Sequence, residues 1–265
     1  MGFGDEVIGS GLARGLHAKG KRAAFGDGKR IIWGPWCEEV YRYNPNVAPP
    51  GSEGRADLHW IDYYKGHRNY NTLDKVRGRW IWNYEFRVQP GEIFFDGSLE
   101  PVRDFIYVEP NVPWHKSVAV NKDWGLENYQ AVVDRLIKDG HDVVQSDHGR
   151  DRLQRARIVK TSKFRDALYV LSQARVALLP EGGLHHGAAA LRVPAVVIFG
   201  GFIPPSVMGY DLHTNLTGGA EACGSLYKCA HCKYAMEQIS VEEVYHAIQA
   251  QIAKNQETKE SAKSC

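Results

Sequence analysis

Apolar and polar residues follow two different regimes along this chain. From about residue 105 onward, short unbroken apolar runs alternate with helical periodicities. Phe105 to Glu109, Asp142 to Gln145, Val176 to Leu179 and Ala195 to Phe199 read as strands. Such runs, apolar on both faces, suit strands buried between two layers of helices. Leu126 to Asp139 places Tyr129, Val132, Val133, Leu136 and Ile137 at helical spacing, with Gly140 at the C-cap. Phe164 to Ala174 carries Ala167, Leu168 and Leu171 on one helical face. Val241 to Ile252 reads as a last helix, with Ser240 as N-cap and Glu243 three residues on, a capping box. The alternation predicts an α/β protein with a parallel, doubly wound sheet.

The first hundred residues are less regular, and no internal repeat is present. Residues 5–22 read as a helix after a glycine turn, with Val7, Ile8, Leu12 and Leu16 apolar and Gly20 at its end. Ala23-Ala24-Phe25 and Ile31-Ile32-Trp33 read as short strands. Residues 44–58, rich in Pro and Gly, read as loop. Residues 59–95 are aromatic and basic, with weak periodicity. The predicted organisation is an N-terminal domain over 1–103, with Asp96 to Arg103 as the link. A second domain covers 104–253, and a polar tail, 254–265, is expected to be disordered.

Composition narrows the class. At 265 residues the chain can bury a real core. Its net charge of +2 gives no global commitment to nucleic acid or to a membrane. No apolar run reaches the ~20 residues that span a bilayer, and the first residues lack a signal-peptide pattern. The expected location is cytoplasmic, at most peripheral to the inner membrane. Five cysteines, an odd number, are too few for a disulfide scaffold.

The densest chemistry lies between two of the predicted strands. After Pro180 come Glu181, Gly182, Gly183, Leu184, His185 and His186, then an Ala-rich helix. Small residues at a helix N-terminus let a ligand reach the backbone, and the free N–H groups and helix dipole favour an anion such as a diphosphate. Glycine turns of this kind are weak evidence alone.

Three segments together resemble family 9 glycosyltransferases, the group that contains the lipopolysaccharide heptosyltransferases. Gly4-Asp5 opening a helix is similar to the family's Gly-Asp turn at the acceptor site. Lys122-Asp123-Trp124, followed by Glu127 and Tyr129, is similar to its Lys-x-Trp-x-x-Glu-x-Tyr segment. Glu181 to Ala190 is similar to its Asp-x-Gly-x-x-His-x-x-Ala-Ala loop, and Met236, Ile239 and Val244 are a weaker fourth match. The resemblance runs over residues 105–252 and, before that, rests on the first few residues. Two departures stand out: Glu181 replaces an Asp, and Gly182 replaces a Ser or Thr. No strand precedes Gly4, so the chain either starts after the family's first strand or carries a pared-down domain.

The resemblance implies the GT-B fold, two Rossmann-like domains facing each other, here with a reduced N-terminal one. It implies inverting transfer of a sugar, by analogy ADP-linked heptose, from a nucleotide-diphosphate donor to a hydroxyl acceptor, a glycan or another alcohol. Lys122 would stabilise the leaving diphosphate. Gly182 and Gly183 would offer backbone N–H groups, and His186 would donate to a phosphate oxygen. Glu181 would hold a ribose hydroxyl, orient Lys122 or join a metal site. Asp5 would be the general base, or else only a helix cap. Asn111 and Lys116 would touch phosphate or acceptor, and His185 would be a bystander. The resemblance leaves a need for magnesium or zinc open.

Two features stay outside that reading. Cys223, Cys229 and Cys232, with His231 among them, form half of a zinc pattern, and a disulfide or free thiols remain alternatives. Trp60 to Phe95 interleaves aromatics (Trp60, Tyr63, Tyr64, Tyr70, Trp80, Trp82, Tyr84) with Lys and Arg, a pattern that can bind nucleic acid by stacking and phosphate contacts, can bind a sugar or phosphorylated glycan, or can simply form an aromatic core with a solvated basic face. The alternative functions are therefore a catalytically inactive nucleotide- or glycan-binding protein and a nucleic-acid-modifying glycosyltransferase.

Overall fold

The computed structural model describes residues 1–97, 104–113 and 115–263, with side chains to residue 256. The predicted link at 96–103 therefore lies, apart from its first two residues, outside the described residues. Two helices and several short strands make up the first part: α1 (Phe3–Ala13), β1 (Arg22–Phe25), α2 (Cys37–Tyr41), β2 (Leu58–Ile61), β3 (Asn71–Asp74) and β4 (Arg79–Trp82). The remainder runs β5 (Phe105–Val108), α3 (Leu126–Lys138), β6 (Asp142–Asp147), β7 (Arg157–Lys160), α4 (Phe164–Ser172), β8 (Val176–Pro180), α5 (Gly183–Ala190), β9 (Ala195–Ile198), α6 (Pro205–Met208), β10 (Thr214–Leu216), α7 (Ala230–Gln238) and α8 (Val241–Lys263).

Six strands form one sheet in the order β10-β9-β8-β5-β6-β7, every neighbouring pair parallel. The chain starts in the middle with β5, builds outward through β6 and β7, and then returns to β8 to build the other way. This is the doubly wound order, and its reversal lies between β5 and β8, where such sheets open a crevice beyond their C-terminal ends. Successive residues of the central strands serve opposite faces. Ile106 and Val108 join Val143, Val176, Leu178, Val196 and Ile198 under α3 and α8. Phe105 and Tyr107 join Val144, Ala177, Leu179, Ala195 and Val197 under α4 and α5.

The second of these apolar clusters continues into the N-terminal part, taking in Val7, Ile8, Tyr41, Tyr63, Tyr70 and Trp82. Helix α1 lies against α5, and α2 against α4. β1 and β2 form a separate parallel pair, and β3 and β4 an antiparallel one.

The expected elements differ from the observed ones mainly in the N-terminal part. The predicted helix over 5–22 stops at Ala13, because Gly15 takes a left-handed φ of +75°, and a 3-10 turn follows at His17–Lys19 with Gly20 (φ +66°) ending it. Ile31 makes a single bridge to Gly26 rather than a strand. The aromatic stretch after residue 58 holds β2, β3 and β4, whose mixed exposure gives no clean alternation. In the second half, β7 is an exposed edge strand with no apolar run to betray it. The last helix does not end near Ile252 but continues to Lys263.

Leu168 is fully buried, and its Cδ2 fills the space over Gly187 that a Cβ would claim. Leu168→Ala is expected to cost about 2–5 kcal/mol, read by urea unfolding with an unchanged slope. Val76, 97% exposed, is the control, with Val76→Ala expected to stay within about 0.5 kcal/mol.

Candidate functional site

The point where strand order reverses is also where the chemistry collects. β8 ends at Pro180, the chain turns through Glu181 and Gly182, and α5 starts at Gly183. Gly182 is extended, and a Cβ there would meet nothing within 4 Å, so the first N–H groups of α5 can be approached closely. Gly183 is different. A Cβ there would lie 3.2 Å from Cβ of Phe3 and 3.3 Å from the ring of Phe164. Those two rings stack at 4.1 Å, clamping the turn from α1 and α4.

Lys122 arrives from the segment between β5 and α3 and donates from Nζ to Oε2 of Glu181. Lys122 is 13% exposed and Glu181 4%. The other carboxylate oxygen, Oε1, lies 3.6 Å from Nε2 of His186, whose Nδ1 is 2.8 Å from the Tyr210 hydroxyl. Burial alone would push the Glu181 carboxyl up, but Lys122 and His186 outweigh it and hold the group down at about 2. Burial, reinforced by Glu181, pushes the Tyr210 phenol up, so Tyr210 remains a hydroxyl and can donate to His186. The Lys122 ammonium also sits 5.3 Å from the centre of the Phe202 ring, a cation–π contact in a partly desolvated place.

His185, expected to be a bystander, has an unusual setting. It is fully buried, neither ring nitrogen has a hydrogen-bond partner, and it packs among His186, Phe199, Tyr210 and His213. Burial, then His186, His213 and Lys122, depress its pKa, so it stays neutral. His213 is held down at about 4, chiefly by burial.

The N-terminus of α1 faces this turn directly. A Cβ on Gly4 would lie 2.9 Å from Cδ2 of His186 and 3.6 Å from the backbone of Gly183, so the glycine permits the approach of the two helices. One residue on, Asp5 accepts from the Tyr70 hydroxyl at Oδ1 and from Arg68 Nη2 at 3.3 Å at Oδ2. The Tyr63 hydroxyl donates to its backbone carbonyl at 2.8 Å. Asp5 accepts these bonds and does not cap α1 with its side chain, since the cap residue is Gly2. Lys116 completes the group: a Cβ on Gly2 would lie 2.9 Å from its Nζ and 3.8 Å from Oδ2 of Asp5. Burial lowers the Lys116 pKa, and the charges acting on it are those of Asp5, Lys122, Arg68 and Glu181. Asp5, Arg68, Lys116, Lys122 and Glu181 thus share one neighbourhood.

Asn111 is hydrogen-bonded to its own surroundings. Its backbone N–H and side-chain amide both donate to Glu109, and its amide exchanges two further bonds with the backbone of Asp151. Its polar atoms tie the loop after β6 to the end of β5. The three cysteines come together with His231, their ligand atoms all within 4.8 Å of one another. Sequence reasoning missed Tyr210 and the roles of Arg68, Tyr63 and Tyr70 around Asp5. The aromatic–basic pattern contained Arg68, Tyr63 and Tyr70 but offered no reason to separate them from their neighbours. Tyr63, Tyr70 and Trp82 are buried and unavailable for stacking on bases.

The chain superposes on the glycosyl transferase family 9 structure from Veillonella parvula DSM 2008 over 96% of this chain and 95% of that one, at 13% identity and a TM-score of 0.61. The chain has the fold of a family 9 glycosyltransferase. The iron-containing dodecameric glycosyltransferase TibC from enterotoxigenic E. coli H10407 aligns over 89% of this chain and 77% of its own, at 14% identity and a TM-score of 0.54. E. coli ADP-heptose lps heptosyltransferase II gives 17% identity, 63% and 54% coverage, and a TM-score of 0.47. The chain spans about half the length of the heptosyltransferases it matches. No protein-family model and no curated protein matches the sequence. Among the described residues, no helix is long and apolar enough to cross a membrane.

The Lys122–Glu181 pair makes a pH-dependent contribution to stability. Folded, Glu181 keeps its charge down to about pH 2, whereas unfolded it takes up a proton near its ordinary value of 4.5. Its contribution to stability is therefore full above about pH 5 and is lost as pH falls from there towards 2. Lys122→Met leaves a buried carboxylate without its cation, which is expected to cost ~3–5 kcal/mol at neutral pH. The carboxyl pKa then rises above its ordinary 4.5, so acidification from neutral pH down to about pH 4.5 stabilises the variant relative to its own neutral state, and the loss seen in wild type between pH 5 and 2 disappears. Denaturant unfolding of both proteins across pH checks this, and parallel pH profiles would contradict it.

Proposed function

We propose that this chain is a glycosyltransferase that moves a sugar from a nucleotide-diphosphate donor to a hydroxyl acceptor with inversion. One observation carries the reading. A largely buried lysine, fixed by a glutamate at the strand-order reversal, stands beside an open glycine turn at a helix N-terminus, and a held carboxylate on α1 shares its neighbourhood. The fold shared with the Veillonella parvula protein supports it, as do the three sequence segments that resemble family 9. On this reading residues 1–97 form the acceptor side and residues 104–253 the donor side.

In the proposed reaction the acceptor oxygen attacks the anomeric carbon from the side opposite the diphosphate. The new C–O bond forms as the sugar–phosphate C–O bond breaks, and the bonding pair leaves with the nucleoside diphosphate. Asp5 takes the acceptor's proton, while Lys122 and the first N–H groups of α5 meet the charge that develops on the departing phosphate. Glu181 acts through Lys122 and His186, since its two oxygens face those two side chains. Lys116 and Arg68 add positive charge to the same neighbourhood. An ADP-linked heptose is the first donor to test, from the sequence resemblance.

Asp5→Asn keeps one acceptor oxygen, for Arg68, and its amide N–H can donate to the Tyr70 oxygen, but it cannot take a proton at neutral pH. Transfer is expected to fall by ~10²–10⁴-fold, with donor affinity within a factor of about 2 of wild type. A coupled nucleoside-diphosphate release assay, run beside calorimetric donor binding, reads both. Full turnover in this variant removes Asp5 from the mechanism, and loss of donor binding makes its role structural.

A further inference from the structure

The cluster at Cys223, Cys229, His231 and Cys232 lies outside the proposed transfer machinery, and its construction asks for an occupant. Cys223 comes from the loop after β10, Cys229 is the cap residue of α7, and His231 and Cys232 lie on its first turn. The Cys223 sulfur is 3.2 Å from that of Cys232 and 3.9 Å from that of Cys229. All four potential ligand atoms lie within 4.8 Å of one another. Three sulfurs and one imidazole nitrogen at that spacing are a complete tetrahedral donor set. The sequence pattern looked like half a site because the fourth ligand sits inside the Cys-x-x-Cys span rather than in a second pair.

The surrounding backbone holds these groups in place. A Cβ on Gly201 would lie 2.7 Å from Cε1 of His231, so the missing side chain makes room for the ring. Cys223 N–H donates to the Gly201 carbonyl at 2.9 Å, and Cys229 N–H donates to Oδ1 of Asn121 at 3.0 Å. The amide of Asn121 also donates to the carbonyls of Ser225 and Tyr227. The loop between the cysteines lies along β4, with Trp80 N–H donating to Gly224 and Leu226 N–H to Gly78.

We infer that Cys223, Cys229, His231 and Cys232 bind one thiophilic transition-metal ion, zinc or iron, in a closed structural site. Binding releases the thiol protons. The ion pins α7 to the loop that carries Cys223 and, through Asn121, to the residue preceding Lys122. It also fixes the loop on which β4 leans. The protein thereby fastens both sides of the candidate site with one bond set, whether or not the site transfers a sugar.

The test uses the full chain, purified under reducing conditions without added metal. Elemental analysis is expected to find about one zinc or iron ion per chain. Protein stripped by chelator under reducing conditions should lose thermal stability and recover it with Zn²⁺ or Fe²⁺. Titration of the stripped protein with Co²⁺ should give the thiolate-to-cobalt charge-transfer absorption and the strong visible bands of a tetrahedral site. Cys223→Ser should weaken those bands, and His231→Ala should shift them. A chain that retains no metal and shows no such spectrum with Co²⁺ overturns the inference. So does a Cys223–Cys232 disulfide in peptide maps of protein alkylated as isolated from cells. The cobalt titration is made on the wild-type chain, so a variant that fails to fold leaves the decision intact.

Discussion

A lysine and a glutamate that are both nearly out of water must stay together, because either one alone would leave a buried charge without compensation. The pairing of Lys122 with Glu181 brings two distant parts of the sheet to one point. Lys122 lies in the connection that leaves β5, and Glu181 follows the last residue of β8. These are the two strands between which the strand order reverses. The pair therefore closes the crevice of the doubly wound sheet on its own axis. His186 and Tyr210 extend it, and the fully buried, neutral His185 lies behind it.

The N-terminal part is fitted to this point through small residues. Gly4 lets α1 come against His186 and Gly183, and Gly183 lets Phe3 and Phe164 close over the turn. Asp5 is then held by groups from the aromatic stretch, Tyr70 and Arg68 at its carboxylate and Tyr63 at its carbonyl. A carboxylate fixed from three sides and a lysine fixed by a glutamate leave little reorganisation for a reaction between them, which is the economy of a preorganised electrostatic site. The metal cluster would serve the same end from α7, through Asn121 next to Lys122.

Much of the second half was legible in the sequence because burial on both faces forces unbroken apolar runs. β5, β8 and β9 follow from that rule, α3 and α4 from apolar positions at helical spacing, while Lys122 stood out only through the family resemblance. The aromatic stretch was not legible in the same way. Trp60, Tyr63, Tyr70 and Trp82 belong to short strands and loops, so no period distinguishes a ring in the core from a ring at the surface. Arg68 and Tyr70 gained their meaning only from Asp5, 63 and 65 positions away. Asn111 shows the opposite case. A polar residue in a promising loop is hydrogen-bonded to Glu109 and Asp151, partners that its place in the sequence did not announce.

The central claim is that Lys122, held by Glu181 beside the open turn at Gly182, makes a diphosphate site. Calorimetric titration with a nucleoside diphosphate, ADP first, tests it most directly when wild type and Lys122→Met are compared at neutral pH. The account predicts saturable binding to wild type that weakens by at least about tenfold, or roughly 1.4 kcal/mol, in the variant. Equal affinity in the two folded proteins would contradict it.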